Sequence, residues 1–160
     1  MSGYDPNLVC NNILQRAFSE NVPVTPMQLQ KILYFTASEY AKLSGKRLLS
    51  DDFAVWRYGP VLKDVYREFK SYGGNPIRSY AKDSAGNEFV ISEESDPALR
   101  TALENVWKHT RGKSAATLSR ITHKEDSAWH QAYSAWDSDI KQELVAADAT
   151  YVDELGLNKG

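Results

Sequence analysis

A helix is spelled out from Thr25 to Leu43, and it carries apolar residues on more than one side. Thr25-Pro26-Met27-Gln28 opens it. The threonine and glutamine have the spacing of a capping box, and proline suits a first turn because its missing N–H would be unpaired there anyway. Leu29, Ile32, Leu33, Thr36 and Tyr40 recur at helical spacing, while Met27 and Phe35 lie off that stripe. Such a helix must be covered from two directions, so the rest of the chain is expected to wrap around it. With 160 residues, 42% of them hydrophobic and 25% charged, the chain can build one domain with a sizeable core.

The neighbouring segments supply the cover. Asp5-Pro6 starts a helix bearing Val9, Cys10, Ile13, Leu14, Ala17 and Phe18, and Pro23 follows it. Phe53 to Tyr58 reads as extended. Leu62, Val65, Tyr66, Phe69 and Tyr72 mark a third helix, with Pro60 suited to its first position and Gly73-Gly74-Asn75-Pro76 ending it. Residues 77–92 fit a hairpin turning at Asp83-Ser84-Ala85-Gly86-Asn87. Asp96-Pro97 opens a helix with Leu99, Ala102, Leu103, Val106 and Trp107 inward, and Ser114 caps a short one with Leu118 and Ile121. Trp129, Ala132, Tyr133 and Trp136 form a further stripe, and Ile140, Leu144 and Val145 a last one. The expected fold is mainly α: a compact helical domain over residues 1–150 with a small antiparallel β-hairpin or sheet inserted between helices. Residues 151–160 are expected to form a C-terminal tail that frays.

Little in this chain points to catalysis. His123 and His130, seven apart with Glu125 between, would share one helix face, but a metal site needs a third ligand from afar such as His109. His-x-Glu at 123–125 lacks the Cys-x-x-Cys that a zinc deaminase requires, since Cys10 is the single cysteine. Cys10 itself falls on an apolar face, where a thiol is usually inert. A nucleophile built on Cys10 or Ser119 with His123 has no supporting spacing. No enzyme activity, metal or cofactor is expected. One cysteine, no signal peptide and no apolar run of membrane-spanning length point to a cytoplasmic protein without a membrane partner.

Two features suggest binding. Lys108, Arg111, Lys113, Arg120 and Lys124 fall in an acid-free run with His109, so helices within residues 97–124 are a conceivable DNA-binding unit; the net charge of −2 argues against nucleic acid. The second is Trp56-Arg57-Tyr58-Gly59-Pro60, where aromatics and an arginine meet a Gly-Pro break. Such residues either plug the space between hairpin and third helix or form an interface anchor.

Several motifs in order resemble a known family. They are Thr25-Pro26-Met27-Gln28-Leu29-Gln30-Lys31-Ile32-Leu33-Tyr34-Phe35, Ser44-Gly45-Lys46-Arg47-Leu48, Asp52 through Val61 and Val65-Tyr66-Arg67-Glu68-Phe69. Ser114-Ala115 with Leu118, Ser119, Thr122, His123, Glu125, Trp129 and Ala132 completes the set. Together they are similar to the Panacea antitoxin domain, the family of SocA-like antitoxins and phage-associated proteins. The resemblance spans about residues 8–150. Ala128 departs from it, standing where the family usually has proline.

The resemblance implies a non-enzymatic antitoxin that neutralises a cognate protein toxin, encoded next to it, by direct binding. It also admits a role as adaptor to a ClpXP-type protease, or a phage-associated protein with a non-toxin partner. The partner-binding residues it suggests are Trp56, Arg57, Tyr58, Gly59, Pro60, Tyr66, His123, Glu125 and Trp129.

Overall fold

A computed structural model describes residues 2–157. Its elements are α1 (Pro6–Glu20), α2 (Pro26–Ser44), β1 (Ala54–Trp56), β2 (Gly59–Val61) and α3 (Lys63–Phe69), the last continued by a 3-10 turn over Lys70–Tyr72. Then follow α4 (Pro97–Thr110), α5 (Ala115–Thr122), α6 (Ala128–Ser134), α7 (Gln142–Ala147) and α8 (Val152–Leu155). The fold is mainly α with one small antiparallel sheet, as expected.

The capping box of α2 is formed. Gln28 N–H donates to Thr25 Oγ1 at 3.3 Å, and Thr25 N–H to Gln28 Oε1 at 2.7 Å. The helix ends at Gly45, whose positive φ of 70° closes the last turn. Between these caps α2 packs against α1, α3, α4, α5, α7 and β2, which makes it the central helix. Its second buried side is built from Lys31, Tyr34, Phe35 and Ser38; Met27 is 37% exposed and contributes to the surface instead. Polar members of this buried side have partners. Tyr34 donates to Asp148 Oδ2 at 2.5 Å, and Ser38 to the Val145 carbonyl at 2.7 Å.

These bonds tie the C-terminal segment to α2. Residues 151–157 are packed onto the fold: Tyr151 and Leu155 are core residues, and the Tyr151 hydroxyl exchanges hydrogen bonds with Lys42 and Glu39 of α2. Residues 158–160 of the expected tail lie outside the described residues.

The expected hairpin at 77–92 does not form. Its turn exists, with Asp83 N–H donating to the Asn87 carbonyl at 2.9 Å. The flanking backbone pairs instead with two buried asparagines of α1. Asn11 accepts from Ala81 N–H and donates to the carbonyls of Ala81 and Phe89; Asn12 accepts from Ile91 N–H and donates to its carbonyl. Amide side chains offer a donor and an acceptor together, so they replace a missing strand.

The sheet lies elsewhere. β1 and β2 pair antiparallel, Ala54 with Val61, Val55 with Pro60 and Trp56 with Gly59. Pro60 thus sits in a strand, not at the start of a helix. It fits because Val55 N–H points the other way, to the Ser138 carbonyl at 2.9 Å, so the proline faces a position needing no amide.

The Trp129–Trp136 stripe is also corrected. Trp129 and Ala132 are buried, but α6 stops at Ser134 and the chain turns to bring Ile140 N–H to the Phe53 carbonyl at 2.8 Å. Trp136 is left 95% exposed with φ of +61°.

Candidate functional site

A two-stranded hairpin is marginal on its own, so its stability must come from what surrounds it. β1 and β2 are joined by Arg57 and Tyr58 alone, and side chains from three helices grip the backbone around them. The Trp129 indole N–H donates to the Trp56 carbonyl at 2.8 Å. His123 Nε2 faces the Arg57 carbonyl at 2.8 Å, and its Nδ1 faces the Ser119 carbonyl. Lys31 Nζ donates to the Pro60 carbonyl at 3.0 Å. Gln30 closes both groups of Leu62, accepting from its N–H at 2.9 Å and donating to its carbonyl at 3.0 Å. Each edge that could recruit another chain is thereby covered.

Gly59 sits at the centre of this grip with φ of +119°. A Cβ there would lie 2.7 Å from Thr122 Oγ1 and 3.0 Å from Lys31 Cε, so only glycine admits the close approach of α2 and α5. Behind the turn, the His123 and Trp129 rings lie 4.0 Å apart, and Tyr133 stacks on Trp129 at 4.8 Å.

On the outer side, an apolar groove of about 470 Å³ opens between the hairpin, the start of α2 and α3. Met27, Trp56, Tyr58, Val61, Val65 and Tyr66 form its walls. Trp56 packs edge-on against Tyr66 at 4.9 Å, and Tyr58 is 56% exposed beneath the Arg57 guanidinium at 5.6 Å. Lys31 is fully buried behind these walls, and burial pushes its amine down to about 7.

Of the residues singled out in the sequence, Trp56, Arg57, Tyr58, Gly59, Pro60, Tyr66, His123 and Trp129 therefore meet in one constellation. Glu125 does not join them: it is exposed in the link between α5 and α6 and takes no part in the grip. The same link separates His123 from His130, so they do not share a helix face. Among the described residues, no group of three or more His, Cys, Asp and Glu is placed to hold a metal ion. Cys10 is fully buried, which pushes its thiol well up. In the basic run, Arg111 pairs with Glu20, and Arg120 and Lys124 lie 3.9 Å and 3.4 Å from Glu154. No helix among the described residues is long and apolar enough to cross a membrane.

Sequence reasoning missed Gln30 and Lys31 as site residues. The available signal was a lysine and a glutamine on a helix expected to be buried from two sides, where polar groups need specific partners.

The family model described as antitoxin SocA-like, Panacea domain matches residues 29–130. The chain is also 30% identical over 158 residues to antitoxin SocA of Caulobacter vibrioides (strain NA1000 / CB15N), covering 97% of this chain and 84% of that protein. No solved structure matches it.

Proposed function

The chain belongs to the SocA-like Panacea antitoxin family, and from that premise we propose that it neutralises a protein toxin by binding it directly at the hairpin groove. One observation carries the reading. The hairpin backbone is gripped from α2, α5 and α6, while Trp56, Tyr58 and Tyr66 are left at the surface around a concave apolar wall. Rigid aromatics and an arginine around a groove are what interface hot spots are made of, because they bury area at small entropic cost. His123 and Trp129 act from behind by holding the hairpin.

Binding without catalysis is part of the proposal. Cys10 is sealed in the core, and Ser119 Oγ points to the Met27 sulfur at 3.5 Å. The His123 ring nitrogens face the carbonyls of Ser119 and Arg57. A nucleophile and a base within reach of each other are missing from this set. The basic run of α4 and α5 favours DNA binding less than the sequence suggested, since Arg111, Arg120 and Lys124 face carboxylates from α1 and α8.

Co-expression with the product of the adjacent reading frame tests the reading. That product is expected to arrest growth alone and to be harmless beside this protein; a product that is harmless alone, or toxic in both cases, overturns it. Delivery to a ClpXP-type protease is a further part of the proposal. It requires the toxin's half-life to shorten when this protein is present and to recover when the protease is deleted.

A further inference from the structure

We propose that the groove beside the hairpin receives an acidic, apolar peptide segment of the partner protein, its carboxylate held by Arg57 and Lys70 over the buried Lys31 amine and its apolar side chain seated between Met27, Trp56 and Tyr66. The inference rests on the antitoxin reading and adds the chemistry of the contact.

Charge decides the occupant. Lys31, Arg57 and Lys70 are the basic residues lining the groove, and neither Asp nor Glu lines it. Among the described residues, none of the three cations forms an ion pair with a carboxylate, unlike Arg16, Arg47, Arg67 and Arg111 elsewhere on the surface. Among the described residues Lys31 bonds to the Pro60 carbonyl and to no other acceptor, so the remaining donors of a charged ammonium go unused. A buried cation without a counter-ion is costly, which is why its amine is pushed down to about 7. A carboxylate entering the groove supplies the missing negative charge in surroundings where apolar walls weaken screening. Arg57 adds a planar fork suited to a carboxylate, and Lys70 a mobile point charge. The walls of Met27, Val61, Val65 and the aromatics ask for an aliphatic or aromatic side chain beside that carboxylate. A basic segment meets the like charges of Arg57 and Lys70 here, and a neutral one leaves them as they are.

The test is fluorescence anisotropy of the full chain with a labelled peptide, Gly-Phe-Glu-Leu-Glu-Gly, against versions carrying Gln or Lys in place of Glu. The Glu peptide is expected to bind about tenfold tighter than the Gln peptide and the Lys peptide weakest. The advantage should fall below about twofold in the double variant Arg57→Glu, Lys70→Glu, whose changes are at exposed positions, and shrink in Lys31→Met. Equal binding of Glu and Gln peptides, or a preference that persists in the double variant, overturns the proposal. Growth assays separate it from the reading beneath it. Neutralisation by the double variant at wild-type strength refutes this groove chemistry and leaves the antitoxin reading standing. Failure of the unsubstituted protein to neutralise the toxin refutes that reading, while the peptide preference still decides the groove.

Discussion

The indole N–H of Trp129 and the backbone carbonyl of Trp56 meet at 2.8 Å across 73 residues of sequence, and this bond joins α6 to the hairpin. It makes one tryptophan the support of the other. Trp129 is buried with its nitrogen committed, and Trp56 is partly exposed with its ring at the groove. Trp129→Phe keeps the ring against His123 and Tyr133 but leaves that carbonyl without its donor. Unfolding in urea should show a loss of about 1–2 kcal/mol, the range for an unsatisfied part-buried carbonyl. Trp56→Ala should cost less stability and far more toxin affinity.

Gly59→Ala is expected to destabilise the protein by about 2 kcal/mol or more, since it combines a left-handed backbone with a Cβ 2.7 Å from Thr122 Oγ1. Thr122→Ala in the same chain should restore part of the loss by removing the clash and none of the backbone strain. Thermal melts of the two single variants and the double variant check this; full additivity would show that the contact does not matter.

Lys31 gives the stability a pH dependence of defined sign. The unfolded lysine titrates near its ordinary 10.5, whereas the folded amine lies at about 7. Between those values the unfolded chain holds a proton that the native one has released, so stability rises with pH, by at most about 1.4 kcal/mol per unit from this group. The window to measure is pH 7 to 8, where the Cys10 thiol in the unfolded chain is still mostly protonated. Lys31→Met should flatten the slope measured by chemical denaturation.

Asn11→Ala removes the acceptor for Ala81 N–H and the donor to the carbonyls of Ala81 and Phe89. A loss of about 2–4 kcal/mol is expected, several bonds of about 1 kcal/mol each plus the cost of leaving buried groups unpaired. Limited proteolysis should then cut faster within residues 82–90 than it does in the parent protein.

Trp136→Gly should leave stability within about 0.5 kcal/mol of the parent or raise it slightly, because the side chain is exposed and glycine accepts its positive φ. A loss comparable to that of Trp129→Ala would return Trp136 to the core stripe.

Much of the helical frame was legible because its signals are local. Asp5, Thr25, Asp96 and Ser114 each cap a helix through an amide two or three residues ahead, so the residues that define each start are neighbours in sequence. The membership of the site was legible from its motif residues, though not their division of labour. Trp56 and Tyr58 could have been wedges or anchors, and the answer depended on which faces α2, α5 and α6 covered. The hairpin was placed wrongly because a run of alternating residues at 77–92 carries the same pattern whether it pairs with itself or with asparagines some 70–79 positions away.

The amino-acid sequence by itself determined the mainly helical class, the central place of α2 and the family to which the chain belongs. These follow from capping, periodicity and motif order, all of them readable along the chain. Only the tertiary structure decided that β1 and β2 form the sheet, that Lys31 is sealed behind the groove without a counter-ion among the described residues, and that His123 and Trp129 hold the hairpin by their ring nitrogens. Those facts depend on contacts between residues far apart in sequence, whose formation is decided when all the buried faces are satisfied together.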